Sequence, residues 1–406
     1  MAVANKIYYP SVGGAFRIFM SENSDNVSII DFGISLSELE NEFIIKCAPR
    51  LGFQNNISAF CQKNLESPTI HCEWYNLTDD FLNIIKDIKK DIFDVSGQKI
   101  TLKQLKTAAD AAAKIRNKNF FYKMVNEISP DYLVNGWGIQ KNINELINDQ
   151  QFDFPFIIKS CQGKGGKGNL VCYNQKDLEQ VRNIFFSDLF AKKQEINTYN
   201  IADEIIIEKF FKDCPSYNFS FYCDINGNML FASASEQIID EVFYRGNIYP
   251  TRLNKEQNNR MKKIGSEICQ YINKEFQYFG WIGLDFINVD GKIFVIEANP
   301  RVNSVTHAHK LAKGNPFIIR LMQYKTADSI DTSFSNFYFD KTTATGVIPY
   351  QLPNSNEILL MSAATNFDDA VKNLDNFAEK SGLHCVKQQS INGYSKSISY
   401  YLAKQK

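Results

Sequence analysis

The sequence predicts an α+β fold built on antiparallel sheets, and three observations lead to it. Val289-Asp290-Gly291-Lys292 separates the apolar runs 282–289 and 293–296, and an Asp-Gly between two such runs is a strong hairpin signal. Asp224-Ile225-Asn226-Gly227-Asn228 separates the runs 219–223 and 229–232 in the same way. Long stretches of helical spacing lie before and between them, with Met261, Ile264, Ile268 and Ile272 on one face of a helix over 256–276.

Composition bounds what such a fold could serve. At 406 residues, 44% hydrophobic and 13% aromatic, the chain can bury a large core and has the length of two or three globular units. Lys plus Arg equals Asp plus Glu, 45 each, so no global field points to nucleic acid or an acidic membrane. The start, MAVANKIYYP, lacks the pattern of a signal peptide, and no apolar run approaches the ~18 residues that span a bilayer. A cytoplasmic protein is expected. Nine cysteines without a CxxC pair fit free thiols better than a disulfide framework or a zinc site.

Taken in order, 6–9 and 27–32 read as short strands around Ser11-Val12-Gly13-Gly14, the opening of an α/β unit. Thr101 is the N-cap of a helix to Arg116, with Leu105, Ala108, Ala112 and Ile115 at helical spacing. A second helical pattern, Phe121, Met124, Val125 and Ile128, follows Asn117-Lys118 and ends near Pro130. Residues 144–149 read as a short helix and 154–159 as a buried strand ending in Lys159.

Lys159 leads into Gln162-Gly163-Lys164-Gly165-Gly166-Lys167-Gly168, four glycines and two lysines in seven residues. Bare backbone N–H groups beside ammonium charges suit phosphate. The loop matches GxGxxG, but a strand at 169–173 follows where a dinucleotide fold needs a helix, and Asn169 stands where a P-loop needs lysine. Strand, glycine loop and strand make a phosphate-covering flap. A helix over 176–189 then precedes the apolar strand 205–211, which is broken by Glu208-Lys209.

Beyond the 256–276 helix, Gly280 to Arg301 concentrates acidic and amide side chains. Glu297 and Asn299 are two apart, so in a strand they leave one face. Asp285 joins that face only if the hairpin contains an odd residue. A three-residue loop, Val289 to Gly291 with Gly291 left-handed, supplies it. His307 and His309 have no third nitrogen or sulfur ligand nearby and read as substrate contact or solvent-facing. The remainder holds strands at 344–351 and 397–402 and a helix over 368–381.

The order asparagine-lysine, strand ending in lysine, glycine-rich flap, Glu-Lys hinge, then Asp285 twelve residues before Glu297-Ala298-Asn299-Pro300-Arg301, resembles the ATP-grasp superfamily of carboxylate ligases over about 117–310. The resemblance implies an α+β ATP-grasp fold: a preceding α/β domain at 1–116, a flap subdomain at 117–204, a metal-site subdomain at 205–326 and a C-terminal extension at 327–406. It implies that Lys118 and Lys159 contact ATP phosphates, with Gly163, Gly165, Gly166, Lys167 and Gly168 closing over them. Glu208, Lys209, Phe210 and Phe211 would hold adenine, and Asp285, Glu297 and Asn299 would coordinate Mg2+ or Mn2+. Arg301, with Lys159, would be catalytic, beside the transferred phosphoryl group.

The implied reaction activates a carboxylate as an acyl phosphate and joins it to an amine, releasing ADP and phosphate. Its partners are then small-molecule acids and amines, amino acids or a peptide among them, with no nucleic acid or membrane, and a homodimer is compatible with it. The alternative is a kinase with the same ATP site, and the non-enzyme reading is a degenerate nucleotide-binding protein. Two departures from the family stand out. Where many members bind ribose through an acid about seven residues after the hinge Glu, this chain reads Pro215-Ser216-Tyr217-Asn218, which leaves Ser216 or Asn218. The Cys-Ser-x-Gln-Arg-Arg run of the biotin-carboxylase branch is missing between Phe211 and Pro250, which argues against a bicarbonate-using carboxylase.

Overall fold

A computed structural model of the chain describes residues 6–8, 10–11, 29–31, 44–46, 68–70, 92–93, 98–134, 139–142, 153–161, 169–186, 204–240, 242–301, 303, 339–340, 345–351, 357–381, 384–385 and 400–401. The expected helix at 144–149, the glycine-rich loop 162–168 and the pair His307 and His309 lie outside them. Near the N-terminus Lys6–Tyr8, Pro68–Ile70 and Ile92–Phe93 pair in parallel. Pro10–Ser11, Ile29–Asp31 and Ile44–Lys46 form a second parallel set. Parallel neighbours need crossover connections, as the α/β unit expected there would supply.

Helix α1, Leu102–Arg116, starts at a capping box: Thr101 Oγ1 accepts from the Gln104 N–H, and the Gln104 side chain accepts from the Thr101 N–H. Asn117 ends it in extended backbone, and its side chain caps α2, Lys118–Ile128, by accepting from the Phe120 N–H. One residue thus closes one helix and opens the next.

A small antiparallel sheet contains β1 (Ile139–Asn142), β2 (Phe156–Ser160), β3 (Asn169–Cys172) and β4 (Glu204–Lys209), in the order β3-β2-β4-β1. Helix α3, Gln175–Phe186, gives Leu178 and Val181 to a core with Phe156, Ile158, Ile205 and Ile207. The strands flanking the glycine-rich loop do pair as a hairpin, with Asn169 opposite Lys159.

The large sheet starts with β5 (Ser216–Cys223), β6 (Met229–Asp240), β7 (Phe243–Tyr249), β8 (Gly280–Val289) and β9 (Lys292–Asn299), ordered β9-β8-β5-β6-β7. It continues into the C-terminal region, where β10 (Thr345–Gln351) pairs with β11 (Glu357–Ala363), and β11 runs parallel to β7. Helix α4, Lys255–Phe276, buries Met261, Ile264, Ile268 and Ile272, and α5, Phe367–Ser381, packs on β11. One core joins the buried faces of α1, α2 and α4 to Phe219, Phe221, Leu284, Phe286 and Val295. Each such side chain contributes roughly 1.5–3 kcal/mol by burial, and strand alternation leaves the opposite face of β5 and β8 for polar groups.

These contacts move two expected boundaries. Helices α1 and α2 share the large sheet's core, so Asn117 marks a helix junction inside one packed unit. Strand β4 is hydrogen-bonded to β2 and β1, so the chain changes sheets after Lys209, not at 205. Among the described residues no helix is long and apolar enough to cross a membrane. Cys161, Cys172, Cys214, Cys223 and Cys269 are free thiols, all but Cys214 buried.

The β8–β9 hairpin corrects the expected three-residue loop. Val289 pairs with Lys292, and Asp290 and Gly291 have φ of 51° and 87°, a two-residue turn with both central residues left-handed. Asp-Gly meets that requirement at low cost, so no third loop residue is needed. The odd residue sits in the strand: Phe286 faces Val295 while Asp285 faces Glu297, which leaves Ile296 as the extra residue of a β-bulge. Gly291→Ala meets nothing within 4 Å of the new Cβ and should cost about 1–2 kcal/mol from left-handed backbone alone. Denaturant melts should show that loss with turnover retained. A folded but inactive variant would mean that the turn, not the bulge, sets the register.

Candidate active site

A cavity lies between the two sheets, floored by β8 and β9, walled by β5 and β6, and bounded on the small-sheet side by Lys159 and Asn169. The segment linking the sheets supplies Glu208 to Phe211. The bulge at Ile296 brings Asp285 opposite Glu297, and strand alternation adds Asn299 to the same face.

Asp285 is the centre of an amide cluster. Its Oδ1 accepts from Asn218 Nδ2 at 2.6 Å and Gln237 Nε2 at 3.1 Å, and its Oδ2 accepts from Asn299 Nδ2 at 3.0 Å. Arg301 Nη2 donates to Asn299 Oδ1 at 3.4 Å. Burial, and then the Glu297 charge, push Asp285 up to about 7, while the Asn218 hydrogen bond, Arg301 and Lys118 pull the other way. Burial above all thus holds this carboxyl toward its neutral form, and a cation beside it would favour the charged form.

Among the described residues no group of three or more His, Cys, Asp and Glu could hold a metal; Asp285, Glu297 and the Asn299 carbonyl are the hard oxygens that could turn to a cation, the first and last by giving up amide and guanidinium hydrogen bonds. Such a set suits magnesium, which keeps positions for water and phosphate oxygens.

The two lysines expected on phosphate are each paired with a glutamate. Lys159 Nζ is 2.6 Å from Glu208 Oε2, and Lys118 Nζ is 3.2 Å from Glu297 Oε1. Lys159 lines the cavity; Lys118 is buried at 4% exposure, on a helix packed against β9. Glu208 is buried, which pushes its carboxyl up against the pull of Lys159. Its Oε2 holds the lysine, while its Oε1 is buried without a hydrogen-bond partner. Phe210 and Phe211 line the cavity, with Tyr173 edge-on to Phe210 at 5.8 Å between ring centroids, while Lys209 is exposed with Nζ 5.6 Å from the Phe211 ring.

Lys159→Ala is expected to lower ATP use by about 10²-fold or more, the scale of losing one charge-stabilising donor. It should also cost about 3–5 kcal/mol if Glu208 is left as a lone buried charge. Lys159→Met with Glu208→Gln should recover stability but not nucleotide use. Full activity in the double variant would show that the pair serves packing alone.

Several cavity residues escaped the sequence reading. Gln237 donates to Asp285 and accepts from Ser216 Oγ at 2.5 Å; a polar run inside a strand, Ser235-Glu236-Gln237, was its only signal. Ser216 and Asn218, the ribose candidates, are thereby engaged with Gln237 and Asp285. Asn303 donates from Nδ2 to Ser220 Oγ at 3.3 Å, and a Cβ on Gly283 would lie 1.4 Å from that nitrogen. Only glycine on β8 gives Asn303 room beside the floor. Tyr244 and Ile239 line the far side.

A family model described as L-aspartate–L-methionine ligase, ATP grasp, matches residues 139–299, from the first strand of the small sheet to the end of β9. The ADP complex of purK, N5-carboxyaminoimidazole ribonucleotide synthetase, superposes with a TM-score of 0.53 at 13% identity, covering 98% of this chain and 91% of that one. The biotin carboxylase domain dimer of Hydrogenobacter thermophilus 2-oxoglutarate carboxylase, with MgADP, ADP and bicarbonate, gives 0.52 at 14% identity, covering 80% and 70%. The biotin carboxylase–β,γ-ATP complex from Campylobacter jejuni gives 0.51 at 14%, covering 78% and 70%. At these identities the likeness is one of fold. A curated sequence, the probable GTP-binding protein EngB of Rickettsia conorii, is 34% identical over 79 residues, 20% of this chain and 32% of that protein. The match spans about a third of that relative's length.

Proposed function

This chain has the ATP-grasp fold, and from that premise we propose that it is an ATP-dependent carboxylate–amine ligase. The observation that carries the reading is the convergence of Asp285, Glu297 and Asn299 on one strand face, with Arg301 hydrogen-bonded to Asn299 just past the strand end, opposite a cavity edge that holds Lys159 and the hinge. The cavity is lined by the apolar Ile157, Phe210 and Ile287 and by the polar Lys159, Asp285, Glu297 and Asn299, a mixture that suits a ligand with a flat base and phosphates.

In this reading the backbone of 208–211 holds adenine, and Lys159 neutralises phosphate after parting from Glu208. Asp285, Glu297 and Asn299 would hold magnesium, which would supply Lewis-acid and template chemistry for the phosphates. A substrate carboxylate oxygen attacks the γ-phosphorus and ADP leaves. Amine nitrogen then adds to the acyl carbon, phosphate departs, and the nitrogen loses its proton. Arg301, beside Asn299, stabilises the charge on the acyl oxygen and on the phosphoryl group. The loop 162–168 covers the phosphates and keeps water from the acyl phosphate.

The matching family's description names two amino acids, so amino acids are the first substrates to try. The missing Cys-Ser-x-Gln-Arg-Arg run sets this chain apart from the biotin carboxylases it resembles in fold. The test is ATP-dependent phosphate release across pairs of amino acids, followed by a carboxylate-¹⁸O acid. Ligation moves one labelled oxygen into phosphate. Unlabelled phosphate alongside an amide excludes the acyl phosphate, and a stable phosphorylated product with no need for amine favours a kinase.

A further inference from the structure

Asn303 stands on the floor where β8 itself offers no side chain. Gly283 pairs with Asn299 on one side and with Ser220 on the other, and a Cβ there would lie 1.4 Å from Asn303 Nδ2 and 2.6 Å from its Cγ. The Asn303 amide thus fills the side-chain position of Gly283, and the residue lines the cavity at 4% exposure. A chain of hydrogen bonds decides which end of that amide faces which way. Asp285 takes three side-chain amides on its two oxygens, so it is the acceptor at the end of the chain. Asn218 turns Nδ2 to it at 2.6 Å and keeps Oδ1 for the Ser220 hydroxyl at 2.7 Å. With its proton engaged there, Ser220 Oγ accepts from Asn303 Nδ2 at 3.3 Å. Oδ1 is therefore the end of Asn303 turned away from this cluster, and it is held out of water.

We infer that Asn303 holds an N–H group of the substrates by its amide oxygen, beside the carbon that is attacked. The inference rests on the ligase reading and deepens it. The rows of the sheet give the place: Ser216 pairs with Ile287 next to the hinge segment, Asn218 with Asp285 at the metal donors, and Ser220 with Gly283 beyond them. Successive rows on one face are roughly 7 Å apart. A nucleotide with its base at the hinge and its phosphates at Asp285 and Glu297 directs its terminal phosphate toward the Gly283 row, where acyl carbon and amine meet. A carbonyl oxygen in that row attracts a donor and repels the oxygens of a second carboxylate or of bicarbonate. Low local dielectric strengthens the bond it makes. Two groups carry this chemistry, the attacking amine and the amino group of an amino acid that serves as the acid.

Hydroxylamine is the probe amine, given to the full chain with ATP, Mg2+ and each amino acid in turn as the acid, and the hydroxamate formed is counted. Wild type is compared with Asn303→Leu, Asn303→Ala and Gly283→Ala. If Asn303 holds the attacking amine, Asn303→Leu should raise the KM for hydroxylamine about 3–10-fold, the factor that one neutral hydrogen bond represents, with smaller changes for ATP and acid. If it holds the amino group of the acid, the rise should fall on the KM of the amino acid and be absent with its desamino counterpart. Gly283→Ala puts a Cβ where the amide stands, so it should raise the same constant and add nothing in an Asn303→Ala background. The Ala variant carries the test if the Leu variant does not fold. Wild-type KM values for both hydroxylamine and acid in the folded Asn303 variants, or an equal rise in the KM for ATP, overturn the inference and leave the ligase reading intact. No hydroxamate from wild type with any amino acid removes that reading and this inference with it.

Discussion

Glu297→Gln and Asp285→Asn should each lower metal-dependent ADP formation by more than the 10–100-fold typical of losing an outer partner of a metal ligand, but they should differ in stability. Asp285 presents two acceptor oxygens to three amide donors, from Asn218, Gln237 and Asn299. An asparagine has one oxygen and one NH2 group, so in either orientation at least one of those donors meets another donor. Leaving a buried donor unsatisfied costs about 1–3 kcal/mol. Glu297 is a quarter exposed but its ion-pair partner Lys118 is buried, so its glutamine variant takes the carboxylate from a buried ammonium and should melt lower than the Asp285 variant, losing up to about 3–5 kcal/mol. Thermal melts and calorimetric Mn2+ titration with a nucleotide analogue separate the two effects. If both variants keep wild-type metal dependence, the metal assignment fails.

What the sequence made legible was whatever depends on local periodicity. Thr101 and its capping box, the buried stripe of α4 and the strand pair around the glycine-rich loop all follow from spacing and caps. Asn117 shows the limit: as a cap for two helices it reads as a break in pattern, yet α1 and α2 pack on the same core. The shared face of Asp285 and Glu297 was predicted, but through the wrong device. A bulge at Ile296 leaves no composition signal, whereas a turn does, so the odd residue was placed where sequence shows it best. The pairs of Lys159 with Glu208 and Lys118 with Glu297 join segments far apart in the chain, and no local rule foretells which carboxylate a lysine will meet. Gln237 and Asn303 were hidden for the same reason, since each matters only through its place beside β5 and β8.

Arg301→Lys should reduce turnover by about 10²–10³-fold, the range for removing a preorganised charge-stabilising donor, while leaving nucleotide affinity within a few-fold of wild type. The residue leaves β9 just past Asn299, and its backbone N–H donates to Asn299 O at 2.8 Å, which sets the direction of the side chain. Its Nη2 already engages Asn299 Oδ1, so the planar guanidinium is oriented at the floor before any substrate binds. Lysine keeps the charge but not the fork that can serve Asn299 and a reacting oxygen together. The charge alone should therefore rescue little. If the reaction passes through an acyl phosphate, Arg301 serves two transition states, phosphoryl transfer and attack on the acyl carbon. Single-turnover measurements should then show both steps slowed, with nucleotide binding by calorimetry almost unchanged. A variant that formed acyl phosphate at the normal rate and failed only in the second step would place Arg301 on the acyl oxygen alone. A lysine variant at wild-type turnover would show that the fork does not matter and would move the catalytic role elsewhere in the cavity.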